Sequence, residues 1–395
     1  MERPATSAED APQPYRDPEP FSVTAQGQAL TFYPGGEDRF AALLRLIEGA
    51  EHSLKLAFYI FEPDESGRRV RDAVTAAARR GVFVSLICDS FGSSADEAFF
   101  AEFTKAGGCY CCFSPKWNLR YLIRNHQKIV VADDRVAMLG GFNVEDGYFA
   151  PPEDDGWLDL AMTIEGPLVE RVSQWFDQLE AWARDPRARF STIRRRVREW
   201  HAGTGPVRLL IGGPTRGLSS WAREVSRDLI EGDRLDVIMA YFSPAVRLRR
   251  RIARIAGKGQ TRLIMAARSD NPATIGAARA LYGKLLQAGA RIWEFQPCKL
   301  HTKLIVLDDT VYLGSANFDM RSLYLNLEIV VAIEDKALAE RMREYVSAHL
   351  PASIEVTPEL YRQWATPWNR LRWWVSWFLV SVVDYTVSRK LNLGL

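Results

Sequence analysis

The chain predicts a mixed α/β fold built twice from one unit, and three observations carry that prediction. Apolar stretches of period two alternate with amphipathic helical stretches from Leu54 onward. The alternation recurs: His126 and His301 are 175 residues apart, Gly81 and Gly259 178 apart. One set of polar residues occupies matching places in both copies, namely His126, Lys128, Asp133, Gly140, Gly141 and Asn143, then His301, Lys303, Asp308, Gly314, Ser315 and Asn317. The expected architecture is a duplicated α/β/α sandwich of two similar halves.

Residues 1–20 are rich in Pro, Asp and Glu without apolar periodicity and read as a disordered leader; they are acidic and show no apolar targeting segment. The first half, residues 21–200, is expected to run strand (54–60), helix (67–80, ended by Gly81), strand (82–88), helix (95–106) and strand. A hairpin follows, with strands at 129–132 and 136–139 and Asp133-Asp134 at the turn. A helix over EGPLVERVSQWFDQLEAW closes this half, and Pro186 and an arginine run lead out to a boundary near residue 200. The second half, residues 201–350, repeats the order: strand 235–241, helix 246–256, strand 262–267, helix 273–288, strand 291–295, then a hairpin of 304–307 and 311–313. Five residues separate Asp308 from Gly314 where six separate Asp133 from Gly140, so the second hairpin is expected to be tighter.

The period of two puts His and Lys of each copy on one strand face. A glycine beyond the hairpin lets backbone approach closely, and Asn143 or Asn317 adds an uncharged amide. Imidazole, ammonium and amide together suit a phosphodiester, which needs a nucleophile, an acid for the leaving oxygen and donors for the non-bridging oxygens. One histidine attacks phosphorus to give a phosphohistidine, while the other protonates the departing alcohol and later deprotonates the incoming one, so the two must start in opposite protonation states. Lys128 and Lys303 offset phosphoryl charge, each such contact contributing roughly 1.5 to 3 kcal/mol. Asn143, Ser315 and Asn317 join them as phosphate-binding candidates, whereas Asp133 and Asp308, at the turns, read as structural. Neither a metal nor a cofactor is expected.

This pattern resembles the phospholipase D superfamily, with its His-x-Lys-x4-Asp signature followed by a Gly-rich turn and Asn. The stretches AFYIFEPDESG, NHQKIVVADDRVAMLGGFN, AYFSP, LHTKLIVLDD and GSANFDMRSLYLNLE resemble in particular the bacterial cardiolipin synthase branch of the short type, without N-terminal membrane spans. The resemblance implies one site between two halves and a covalent phosphohistidine, with His126 as nucleophile and His301 as general acid and base, an order that the residues alone leave open. It further implies an acidic residue after each histidine that orients the imidazole, at Asp159 in WLDL and Glu328 in NLEI. The implied activity is transfer of a phosphatidyl group from phosphatidylglycerol, or a similar phospholipid, to a lipid alcohol. Hydrolysis to phosphatidic acid is the first alternative; a metal-independent nuclease and a noncatalytic lipid-binding scaffold are others.

With 395 residues, 47% of them apolar, the chain can bury a full core, and a net charge of +2 gives no global drive toward nucleic acid. Arginines cluster at 187–198 and 247–254; a solvated helix face is their ordinary reading, attraction to anionic headgroups the sharper one. Five cysteines without a secretory segment argue against a disulfide framework. Cys109, Cys111 and Cys112 align with Arg291, Trp293 and Glu294 of the other copy, as strand positions rather than metal ligands. The first copy carries an insertion, SPKWNLRYLIRN, expected at the site mouth. Residues 351–395 hold Trp364, Trp368, Trp373, Trp374 and Trp377 flanked by Arg370 and Arg372. Their uncharged run is too short for a bilayer, which takes about 20 residues. They suit an anionic membrane surface instead, with packing over the enzyme's own core as the alternative. A peripheral position on the cytoplasmic face of the bacterial inner membrane follows from these expectations.

Overall fold

The computed structural model describes residues 15–114, 123–185, 187–215 and 217–383. The first half contributes strands β1 (Phe21–Ala25), β2 (Gln28–Tyr33), β3 (Ser53–Phe58), β4 (Phe83–Asp89), β5 (Cys109–Phe113), β6 (Ile129–Ala132), β7 (Val136–Gly140), β8 (Trp157–Leu158) and β9 (Ala161–Glu165). Its helices are α1 (Gly36–Glu48), α2 (Glu65–Arg79), α3 (Ala101–Lys105), α4 (Leu168–Arg184) and α5 (Phe190–Glu199). The second half contributes β10 (Val207–Gly212), β11 (Leu235–Met239), β12 (Phe242–Ser243), β13 (Thr261–Ala266), β14 (Arg291–Phe295), β15 (Lys299–Leu300), β16 (Lys303–Leu307), β17 (Thr310–Gly314), β18 (Phe318–Asp319), β19 (Glu328–Glu334) and β20 (Ser353–Glu355). Its helices are α6 (Ser220–Glu231), α7 (Val246–Ala256), α8 (Pro272–Gln287), α9 (Met320–Tyr324), α10 (Lys336–Ala348), α11 (Pro358–Trp364) and α12 (Pro367–Phe378).

The duplication is visible in strand order. The run β2-β9-β7-β6-β3-β4-β5 recurs as β10-β19-β17-β16-β11-β13-β14, and β1 and β20 each extend one sheet at an edge. Strands β3, β4 and β5 pair in parallel, as do β11, β13 and β14, while the signature hairpins and their neighbours are antiparallel. Most of the buried apolar side chains between the halves form one core, drawn from both sheets and from α4, which supplies Val172, Trp175 and Phe176, and α10, which supplies Met342 and Tyr345. The outer faces are covered separately, by α1 and α2 on one side and α6, α7 and α8 on the other. A single central core explains why the halves behave as one body: separating them would expose apolar surface at roughly 25 cal/mol per Å².

Local chemistry sets the helix starts: Asp64 accepts from Gly67 N–H, Asn271 precedes Pro272 and accepts from Ala273 N–H, and Asp335 accepts from Leu338 N–H. The helix expected over 95–106 is confined to α3. Asp96 Oδ1 accepts from Phe99 N–H at 2.9 Å, offering the backbone a turn in place of a helical bond. The arginine clusters lie on amphipathic helices, α5 burying Ile193 and Val197, α7 burying Leu248, Ile252 and Ile255. Cys109, Cys111 and Cys112 are on β5, and none of the five cysteines forms a disulfide.

The difference in hairpin length is absorbed at the turn. Ala132 faces Val136 across three residues, Leu307 faces Thr310 across two, and Leu139 and Leu313 still face Ile129 and Leu304. Asp133, Asp134 and Asp308 adopt positive φ of 54°, 53° and 49°, a conformation Asp tolerates better than most residues. Asp133 accepts from the N–H groups of Glu51, His52 and Ser53, and Asp308 from those of Asp233 and Arg234. Both carboxylates therefore clamp the start of the neighbouring strand.

The structure departs from expectation at both ends. Most of the expected leader, 1–14, lies outside the described residues, but Tyr15 packs edge-on against Phe295 and hydrogen-bonds His349 Nε2 at 3.1 Å. The second sheet continues past residue 350, through β20. Beyond it α12 lies along α8: Trp373 is buried, stacked on Tyr361, and a Cβ at Gly276 or Gly283 would meet Ser376 or Tyr361. The opposite face of α12 leaves Trp368 67%, Leu371 52% and Trp374 55% exposed. The helix is thus packed on one face and apolar to solvent on the other. The expected insertion at 114–125 and the tail beyond 383 fall largely outside the described residues.

Candidate active site

Neither histidine lies in a strand, contrary to the strand-face reading. Each sits in an extended lead-in docked against the opposite half. Asn125 bridges to Leu327, and His126 N–H donates to Leu327 O at 3.0 Å. In mirrored fashion β15 pairs with β8, and His301 N–H donates to Leu158 O at 2.7 Å. The residue directly before each acid, Leu327 or Leu158, therefore receives the other half's histidine. Gln127, between the signature histidine and lysine, fastens the crossing by donating to Glu328 O at 3.0 Å, while Trp175 Nε1 donates to its Oε1 at 3.0 Å.

The side chains cross in the same way. His126 Nδ1 donates to Glu328 Oε2 at 3.0 Å, and His301 Nδ1 to Asp159 Oδ2 at 2.8 Å. Each carboxylate orients the imidazole of the other copy, not the one it follows in sequence. With Nδ1 occupied, Nε2 is the nitrogen left for chemistry on both rings. The carboxylates are supported differently. A Cβ at Gly141 would sit 2.7 Å from Asp159 Oδ1, so glycine makes room for that acid. In the second copy Ser315 stands at this place; its hydroxyl donates to Glu328 Oε2 and accepts from Ile329 N–H at 3.1 Å. Ser315, expected to bind phosphate, is spent on Glu328.

Lys128 and Lys303 are buried, and each ammonium donates to the carbonyl of the histidine two residues before it, Lys128 at 2.7 Å. Asn143 Oδ1 accepts from Ile60 N–H at 3.1 Å, whereas Asn317 Oδ1 is buried with no hydrogen-bond partner among the described residues. Asp133 and Asp308 sit at the turns, away from this cluster.

Sequence reasoning missed the aromatic walls. Tyr148 and Trp157 meet the His301 ring edge-on with centroids 5.0 and 5.3 Å away, and the Tyr148 hydroxyl is 3.4 Å from His301 Nε2. Tyr59 lies beside His126 at 5.0 Å and beneath the Lys128 ammonium at 5.3 Å. Buried Arg39 ties this wall together, donating to Asp159 O at 2.7 Å and Tyr148 O at 2.6 Å. Nothing in its helical sequence context marks it. Toward solvent, Arg124 covers exposed Phe91 at 4.1 Å.

Electrostatics corrects one further expectation. Burial, with Lys128 and Lys303 nearby, pushes His126 down to about 4 against the pull of Glu328. Burial and then Lys303 push His301 to about 3 against Asp159. Both rings are neutral near pH 7, not oppositely charged. Burial also lowers Lys128 to about 7, with Lys303 pushing it further down, and lowers Lys303 to about 8, while Glu328 and Asp159 pull both back. Burial alone would raise Asp159, but His301 and Lys303 outweigh it and hold it at about 2; Glu328 is likewise held low by His126 and Lys128. Below about pH 7, where both lysines are charged, two ammonium groups and two carboxylates sum to zero, and a protonated imidazole would add an uncompensated buried charge. A monoanion entering this cluster would supply the missing negative charge and could bring one proton with it.

A duplicated α/β scaffold whose halves exchange His–carboxylate partners around a lysine pair defines a phospholipase D-type enzyme. The chain belongs to the family described as cardiolipin synthase, PLD-like domain, which matches residues 43–180 and 228–350. Cardiolipin synthase B of Escherichia coli K12 is 29% identical over 363 residues, covering 87% of this chain and 86% of its own. Cardiolipin synthase of Geobacillus thermodenitrificans is 32% identical over 329 residues, covering 78% of this chain and 63% of its own. Among solved structures, phosphatidylserine synthase of Haemophilus influenzae has the same fold, with a TM-score of 0.71 at 13% identity over 94% of this chain and 96% of that one.

The charge count predicts proton uptake on anion binding. Calorimetry with dimethyl phosphate, a monoanionic phosphodiester, in buffers of different ionisation enthalpy near pH 6, where both lysines are charged, should give close to one proton taken up per anion. Because the free lysines titrate at about 7 and 8, affinity should fall as pH rises from there toward 9. Heat independent of buffer would contradict the charge count.

Proposed function

We propose that the protein transfers a phosphatidyl group from phosphatidylglycerol, or a similar phospholipid, to the alcohol of a second lipid, with His126 as nucleophile. The observation that carries this reading is the pair of buried imidazoles, each with Nδ1 committed to a carboxylate and Nε2 left to react. His126 Nε2 attacks phosphorus as the bond to the leaving glycerol oxygen breaks, and His301 Nε2 gives that oxygen its proton. The incoming hydroxyl then attacks the phosphohistidine and its proton returns to His301. Lys128 and Lys303 offset the charge on the non-bridging oxygens, helped by the buried amides of Asn143 and Asn317. The His126 side chain is the more open of the two, 12% exposed against 5% for His301, which favours it as the ring that meets phosphorus. Transfer over hydrolysis needs a mouth that favours a lipid alcohol over water; the aromatic rings of Tyr59, Phe91 and Trp157 support that.

Purified protein given phosphatidylglycerol vesicles should yield cardiolipin and glycerol by mass spectrometry. His301→Ala should lower turnover by about 100- to 10,000-fold with a smaller effect on vesicle binding, and His126→Ala should abolish the trapped phosphoenzyme. Predominant phosphatidic acid would replace transfer with hydrolysis.

The lipid surface is the proposed partner. No helix among the described residues is long and apolar enough to cross a membrane. The solvent face of α12 presents Trp368, Leu371, Trp374, Phe378 and Leu379, with Arg370 and Arg372 exposed beside them. Peripheral attachment through this face suits both residue types, tryptophan at the headgroup level and arginine at lipid phosphates. A bacterial inner membrane, approached from the cytoplasm, is the proposed location. The double variant Trp374→Glu/Phe378→Glu should weaken sedimentation with anionic vesicles by about tenfold or more and spare turnover of short-chain dispersed substrate. Unchanged sedimentation would leave α12 a purely structural helix.

A further inference from the structure

The two histidines are chemically alike in sequence but not in their surroundings. His301, from the second half, is enclosed by first-half groups: Asp159 on Nδ1, Trp157 and Tyr148 against the ring edge, and the Tyr148 hydroxyl 3.4 Å from Nε2. Tyr148 is fully buried, and burial raises its phenol well above the ordinary value, so it stays protonated. With His301 Nδ1–H committed to Asp159, Nε2 carries the lone pair and the phenol O–H donates to it. The side chain of Asn143 interacts with the same hydroxyl. Asn143 Oδ1 is already taken by Ile60 N–H, so its NH2 end is what remains for the phenol oxygen, favouring the same direction of donation. The chain of polarity thus runs from Asn143 through Tyr148 and His301 to Asp159.

His126 has no such arrangement among the described residues. The offset that relates Asn143 to Asn317 carries Tyr148 onto Ser322, whose N–H is capped by Asp319 and which is buried in the turn that opens α9. The duplication has therefore diverged at the one group that addresses a reactive nitrogen.

We propose that Tyr148 is a positioning residue that reserves His301 Nε2 for proton transfer and so divides the labour between the histidines. This rests on the phosphodiester-transfer reading above. A hydroxyl suits the task because it can donate or accept: it donates to neutral Nε2, and its oxygen accepts from Nε2–H when the ring is protonated. The ring then keeps one orientation as its proton passes to the leaving oxygen and the incoming alcohol's proton returns. The hydroxyl competes with phosphorus for the Nε2 lone pair of His301, while His126 meets no such competitor among the described residues.

The test is Tyr148→Phe in the full-length protein, read by kinetics and by the 15N resonances of selectively labelled histidines. kcat should fall about tenfold with KM little changed, the acidic limb of the kcat profile should shift, and the His301 Nε2 resonance should lose its hydrogen-bonded position while His126 stays put. Phosphohistidine should still be trapped on His126. Wild-type kcat and pH profile in the variant, or an unmoved His301 Nε2 resonance, overturns the proposal. If wild-type protein turns over no phospholipid, the transfer reading falls by itself, and the resonances alone decide whether Tyr148 holds His301.

Discussion

Everything at this site depends on two hydrogen bonds that cross between the halves, His126 to Glu328 and His301 to Asp159. Neither half alone holds an oriented histidine. The lead-in segments are hydrogen-bonded into the opposite half, at the residues directly before the two carboxylates. The shared core behind the site, with α4 and α10 at its centre, keeps the halves in register. Below about pH 7 the charges are tolerated because they balance: two ammonium groups, two carboxylates and two neutral rings. Such a cluster is poorly served by added positive charge but well served by an anion that arrives with a proton.

The same balance explains why the lysines matter beyond attraction. Their proximity to both rings is part of what depresses the imidazoles, after burial itself. In the proposed reaction a phosphodiester would relieve that repulsion, raise the basicity of the rings and admit the acid form only when there is a leaving group to protonate, so that binding and activation would be one event. Below about pH 7 the cluster sums to zero, and no preformed imidazolium has to be stabilised in its interior.

Much of the fold was legible because it is written twice. The order of strands and helices, the ends of α7 and β14 and the two hairpins follow from periodicity and turn residues. The role of Asp133 and Asp308 as turn clamps follows from local chemistry. What was not legible depends on contacts between distant segments. The crossing of Asp159 and Glu328 to the other copy's histidine cannot be read from spacing, since each acid follows its own histidine by a similar distance. Ser315 looked like a phosphate ligand because a hydroxyl beside a signature glycine has that character; only its neighbour across the sheet shows that it serves Glu328. Burial depressed both histidines where reaction logic alone asked for one to be charged. Tyr148 was hidden because its counterpart in the repeat is Ser322, and comparing the copies draws the eye to what they share. At the C-terminus, composition marked an apolar helix, but the split between a face on α8 and a face in solvent needed the tertiary packing.

The cross-half pairing can be measured most directly by following the imidazole resonances of His126 and His301 through a pH titration in Asp159→Asn and Glu328→Gln proteins. Asp159→Asn should displace the Nδ1 signal and titration of His301 while leaving His126 nearly unmoved, and Glu328→Gln should do the reverse. The opposite assignment, in which each substitution disturbs the histidine of its own half, would contradict the exchange of partners on which the single shared site is built.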